Sequence, residues 1–119
     1  MLTATCTIIR HATGEDFDQI IDLLMGFACS MAYRIIPVGQ SYAENPRPYM
    51  GWWITRQIDR VPTAIFVAED ESRLVGICAG SIVDFPIVPD FPHLWEWAWY
   101  VEPGHEIQKL RLWKALAKW

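Results

Sequence analysis

No apolar run in this sequence approaches the ~18 residues that a membrane-crossing helix requires, so no membrane span is expected. The first residues, Met1-Leu2-Thr3-Ala4-Thr5-Cys6, lack the basic start and apolar core of a secretory signal. Cysteine is scarce and scattered: Cys6, Cys29 and Cys78 offer neither the close pairs of a zinc site nor a disulfide framework. Buried thiols in a reducing cytoplasm are the expectation. Histidine is as sparse, and His11, His93 and His105 share no ligand spacing, so no metal is expected. Positive charge is in deficit, with ten Lys and Arg against 14 Asp and Glu and a net charge of −4. That balance lacks the basic face on which general nucleic-acid binding relies.

What the chain has in quantity is apolar surface. Hydrophobic residues make up 52% of it, which excludes a disordered chain, and its seven Trp far exceed ordinary usage. At 119 residues it can build one core and not two, so residues 1–119 read as a single domain. No internal repeat and no low-complexity linker divides it.

Residues 5–10 are β-branched and read as a first strand. Thr13 follows as a helix N-cap, with Asp16 three residues on in a capping-box arrangement. Over 17–33 the apolar residues Phe17, Ile20, Ile21, Leu24, Met25, Ala28 and Met31 recur at three- and four-residue spacing, an amphipathic helix. Residues 40–48 are polar and carry proline, hence a loop, and 49–59 fit a shorter second helix. Residues 63–69 and 74–84 read as strands joined by a hairpin turn over 70–73. Gly76 and Gly80 inside the second of these mark a bulge or a close backbone approach. Residues 85–92 hold three prolines and are expected to form a rigid connection rather than a ladder. A strand over 94–101, a Glu102-Pro103-Gly104-His105 turn and an amphipathic helix over 106–119 complete the chain. Strict alternation places Trp95, Trp97 and Trp99 on one face of that strand, with Glu96, Ala98 and Tyr100 on the other.

The order β-α-α-β-β-β-α, with three local texts, resembles the first part of the GNAT acetyltransferase superfamily. Ile8-Ile9-Arg10-His11-Ala12-Thr13-Gly14-Glu15-Asp16-Phe17 is similar to the family's opening. Phe66-Val67-Ala68-Glu69-Asp70-Glu71-Ser72-Arg73-Leu74-Val75-Gly76 resembles its central hairpin. Tyr100-Val101-Glu102-Pro103-Gly104-His105 resembles the end of its fourth strand, before the acetyl-CoA loop. The resemblance implies an α/β (α+β by some schemes) GNAT-like fold, a mostly antiparallel sheet and helices on both faces. It implies acetyl-CoA held by Val101, Gly104, His105, Glu106, Ile107, Gln108 and Lys109. It also implies Glu96 or Glu102 as the base that deprotonates an amine, with Tyr100 as an acid.

The chain departs from the family where phosphate would sit. Glu106 stands where the family has arginine, and Ile107, Lys109 and Arg111 fall on its glycine positions, which carry small residues so that phosphates can approach. In the family a further strand, helix and hairpin follow, so the resemblance is to a truncated GNAT protein whose last strand is an exposed edge. Such an edge recruits a protein partner or a second copy of the chain. Trp95, Trp97, Trp99, Trp113 and Trp119 supply the aromatic surface that interfaces favour. The expected function is therefore a cytoplasmic protein-interaction module on an acetyltransferase scaffold, in the style of viral or phage proteins that redirect host enzymes. The alternative is an acetyl-CoA-dependent N-acetyltransferase. No nucleic acid and no membrane is expected as partner.

Overall fold

The computed structural model describes residues 7–35, 47–85 and 88–119, those of 28–35, 85 and 88–91 by their backbone alone. The elements are β1 (Ile8–His11), a 3-10 turn (Gly14–Asp16) running into α1 (Phe17–Ile35), α2 (Arg47–Arg60), β2 (Thr63–Asp70), β3 (Arg73–Phe85), β4 (Val88–Val101) and α3 (Gln108–Lys118). The strands form one four-stranded sheet in the order β1-β2-β3-β4, antiparallel throughout. No helix among the described residues is long and apolar enough to cross a membrane. Thr5 and Cys6, expected in the first strand, lie outside the described residues.

Period-two patterning divides β2 between two cores. Ile65 and Val67 join Ile77, Ala79 and Ala98 beneath Ile20, Ile21, Leu23 and Ile54 of α1 and α2. Ala64, Phe66 and Ala68 face the other way, with Val75 and Cys78, against Leu112 and Leu116 of α3. Gly76 and Gly80 make that second contact possible. A Cβ on Gly76 would stand 2.8 Å from Val101 Cγ1 and 2.9 Å from Leu112 Cδ1. One on Gly80 would stand 2.9 Å from Leu94 Cδ1 and 3.2 Å from Leu116 Cδ2. The strand glycines thus mark the close approach of α3 to the sheet.

The 85–92 segment corrects the expectation of a rigid connection. β3 extends to Phe85, β4 begins at Val88, and Pro92 pairs opposite Asp84. Proline lacks the N–H of a two-sided ladder but is tolerated on an edge strand, and β4 has a neighbour on one side only among the described residues. Likewise Arg47 and Pro48 begin α2 rather than ending a loop, since proline's fixed φ suits a first helical turn.

A three-residue ion cluster ties the first strand to its neighbours. The Arg10 guanidinium grips Asp16 with two parallel bonds, Nη1 to Oδ2 at 2.7 Å and Nη2 to Oδ1 at 2.9 Å. Its Nε reaches Glu69 Oε2 of β2 at 3.3 Å. Asp16 also closes the expected capping box, its carboxylate accepting the Thr13 N–H at 2.7 Å, and its own N–H donates to the Thr13 carbonyl at 3.0 Å in the 3-10 turn. The Arg10 bonds and the Thr13 N–H hold the Asp16 carboxyl down at about 2 against the opposing cost of its burial. A carboxyl depressed on folding stabilises the fold above its unfolded titration and loses that contribution as pH falls toward its folded value. Asp16→Asn should therefore cost on the order of 2 kcal/mol at pH 7 in urea titrations, a difference that closes between about pH 4 and pH 2.

At the β2–β3 hairpin, Glu71 and Ser72 both take positive φ, 50° and 66°. A two-residue turn with that twist favours Asn-Gly, because most side chains are strained there. Replacing Glu71-Ser72 by Asn-Gly should raise stability by roughly 0.5–1 kcal/mol, read as a higher urea midpoint at unchanged slope.

Candidate functional site

The register of β3 against β4 governs the face of every side chain near the candidate site. Ala79 lies opposite Ala98, but Gly80 lies opposite Glu96, so Trp97 is an extra residue with no partner across the ladder. A bulge of this kind resets the alternation beyond it. The uniform face expected for Trp95, Trp97 and Trp99 is overturned for that reason. Trp97 and Ala98 both turn toward α1 and α2, and Tyr100 follows them, while Trp99 and Val101 turn toward α3.

Glu96, one residue before the bulge, is half-buried. Burial pushes its carboxyl up, against a smaller opposite pull from Lys109 of α3. It also raises the Cys78 thiol of β3, and burial adds the larger part of that rise, to about 12. Glu96 makes no hydrogen bond within the described residues, so its oxygens are available to take a proton. Cys78 is fully buried and held as the neutral thiol, which removes it as a nucleophile.

The other two acid–base candidates are placed apart from Glu96. Tyr100 lies on the opposite face of the sheet, its hydroxyl 3.1 Å from where a Cβ would stand on Gly26 of α1. Its ring centroid is 6.0 Å from that of Phe27. Glu102 forms an ion pair with Arg73 at 2.5 Å, and its N–H donates to the Val75 carbonyl at 2.8 Å. Tyr100 thus packs against α1, and Glu102 pairs with Arg73 beside the hairpin.

The 102–107 turn sits between β4 and α3, where Gly104 supplies a φ of +92°. Helix α3 begins at Gln108, two residues later than the apolar pattern suggests. Most donors of the turn are already used. The His105 N–H donates to the Glu102 carbonyl at 3.0 Å, that of Gln108 to His105 at 2.9 Å, and that of Lys109 to Glu106 at 3.1 Å. The Gly104 N–H donates to Glu106 Oε1 at 3.0 Å. That bond, followed by one from Glu106's own N–H, lowers the Glu106 carboxyl below its ordinary value. The Glu106 carboxylate therefore takes up backbone donors of the turn itself. Ile107 is 79% exposed, Gln108 is buried and bonded to Arg111 Nη1 at 2.6 Å, and Val101 packs under α3.

The tryptophans divide into three settings. Trp97 meets Trp53 of α2 edge-on at 4.9 Å, and Trp95 meets the same ring at 6.2 Å. Trp99 stacks on Trp113 at 5.1 Å, donates its indole N–H to the Lys109 carbonyl at 2.9 Å, and carries the Lys109 ammonium 5.1 Å above its ring. Trp95 and Trp119 are 46% and 47% exposed. Sequence alternation missed the bulge, although the facing Gly80 is a signal of one.

The arrangement has the fold of known acetyltransferases of GNAT type. A predicted acetyltransferase from Clostridium acetobutylicum, solved with acetyl-CoA, superposes with a TM-score of 0.73 at 13% identity, covering 95% of this chain and 72% of that one. A ribosomal-protein-alanine N-acetyltransferase from Brucella melitensis biovar Abortus gives 0.62 at 15%, covering 95% and 70%. The acetyltransferase from Vibrio fischeri gives 0.61 at 18%, covering 93% and 84%. No protein-family model matches the chain, and no curated protein matches it. Peptide mass mapping after iodoacetamide at pH 7.5 checks the thiol assignment: Cys78 should stay unmodified in the native protein and label fully in urea.

Proposed function

We propose that this chain is a cytoplasmic N-acyltransferase that takes an acyl group from acetyl-CoA, with Glu96 as its general base. The observation that supports this reading is the Glu96 carboxylate: half-buried, without a hydrogen bond among the described residues, and raised in proton affinity. It lies on the same sheet face as α3, on a fold shared with acetyltransferases. A base in that state takes the proton from an amine while the new C–N bond forms and the thioester C–S bond breaks.

The turn suits an anion, because the amides of Gly104 and Glu106 already hold a carboxylate. A phosphate of the coenzyme would take those two donors once the exposed Glu106 side chain rotates away, with His105 beside it. Acetyl-CoA should then bind wild type, and Glu106→Gln should bind it roughly two- to fivefold more tightly, the size of a charge effect at a helix start. Glu96→Gln should retain the affinity and lose about 100-fold or more in transfer to a test amine. Calorimetry and a thiol-release assay read the two quantities. No heat at millimolar acetyl-CoA with either wild type or Glu106→Gln would sink the reading.

A second reading is favoured by the one-sided pairing of β4 among the described residues, with Leu94 and Trp95 exposed beside it. In it the chain is an interaction scaffold, and a partner protein (a host enzyme, were the chain phage-encoded) or a second copy adds to that edge. A monomer in light scattering, with no partner retained and acetyl-CoA bound, would dispose of it.

A further inference from the structure

Ser81 of β3 is fully buried between three elements. It pairs with Thr63 across to β2 and with Trp95 across to β4, next to the pair formed by Gly80 and Glu96. The Trp97 indole Nε1–H donates to Ser81 Oγ at 3.0 Å, and Ser81 Oγ lies 2.8 Å from Thr63 Oγ1. Thr63 Oγ1 donates to the carbonyls of Gln57 at 3.2 Å and Val61 at 3.1 Å, where α2 ends. Counting protons gives the chain a direction. A hydroxyl has one proton, and that of Thr63 is committed to the carbonyls, so Ser81 donates to Thr63 and accepts from Trp97. An indole N–H on the extra residue of β4 is thereby connected to the carbonyl end of a helix.

We propose that Ser81 is a positioning residue for Glu96: by accepting the Trp97 indole N–H it seats the extra residue of β4 on the α1/α2 face and so presents the Glu96 carboxylate on the α3 face. Two side chains on one face are what a bulge requires, and without the extra residue Glu96 would fall opposite Ser81, on the α1/α2 face. The seat is specific. Trp97 packs edge-on to Trp53 at 4.9 Å, and its N–H has Ser81 Oγ as acceptor at the sheet surface. Without that acceptor a buried donor is left unpaired, which favours release of the ring and relaxation of the bulge. On the α3 face Glu96 meets Lys109 of α3 and Cys78 of β3, the titratable groups that interact with it there.

The inference rests on Glu96 being the base, and its test does not depend on acyl transfer. The Glu96 side-chain carboxyl is followed by carbon NMR against pH, with Glu96→Gln identifying its signal. Wild type should titrate above solvated glutamate. Ser81→Ala should bring the midpoint down toward that of solvated glutamate, and Trp97→Phe, which keeps the ring and loses the N–H, should do the same. The double variant should add nothing further. The wild-type midpoint persisting in either folded single variant overturns the proposal. Loss of the acyltransferase reading would show instead as Glu96→Gln retaining full transfer rate.

Discussion

The site depends on a single extra residue in β4. Side chains on a strand alternate with a period of two, so one unpaired position exchanges the faces of everything on one side of it. Trp97 is that position. Before it Glu96 looks toward α3; after it Ala98 and Tyr100 look toward α1 and α2, and Trp99 returns to α3. The separation of Glu96 from Tyr100 and the stacking of Trp99 on Trp113 follow from that offset. The sheet tolerates it because glycine faces it: Gly80 leaves space where Leu94, Trp95 and Leu116 converge.

Much of the architecture is legible from periodicity and capping. The helical spacing from Phe17, the Thr13–Asp16 box and the strand–turn–strand text from Thr63 to Asp84 correspond to elements with ends displaced by only a few residues. The 85–92 stretch is not legible, because proline argues against pairing on average while an edge strand needs its N–H groups on one side alone. Nor is the face of a tryptophan legible beyond a bulge, since alternation presumes an unbroken register. The candidate site is half legible in the same way. Glu96 is visible as a carboxylate on the last strand, whereas the separation of Tyr100 and the commitment of Glu102 to Arg73 are tertiary facts.

The turn before α3 shows how a side chain can fill a backbone anion site from within the chain. Backbone N–H groups at such a turn attract negative charge irrespective of its source. In this chain the nearest source is Glu106, whose carboxylate satisfies the Gly104 donor from within. An external anion competes with a tethered one for those donors. Ile107 and Lys109 put side chains into the space beside the turn, where Ile107 is 79% exposed.

The sheet order has a kinetic consequence. β2, β3 and β4 follow one another as adjacent hairpins, so their pairing closes short loops and costs little chain entropy. β1 is different: Ile8 pairs with Glu69, and the Arg10 cluster spans 59 residues of sequence. Closing that loop is the expensive step, and the three-strand meander offers β1 a finished edge to join. Residues of the meander should therefore show higher φ-values than those of the Arg10 cluster. Substitutions at Arg10, Asp16 and Glu69 should then act chiefly on the unfolding rate.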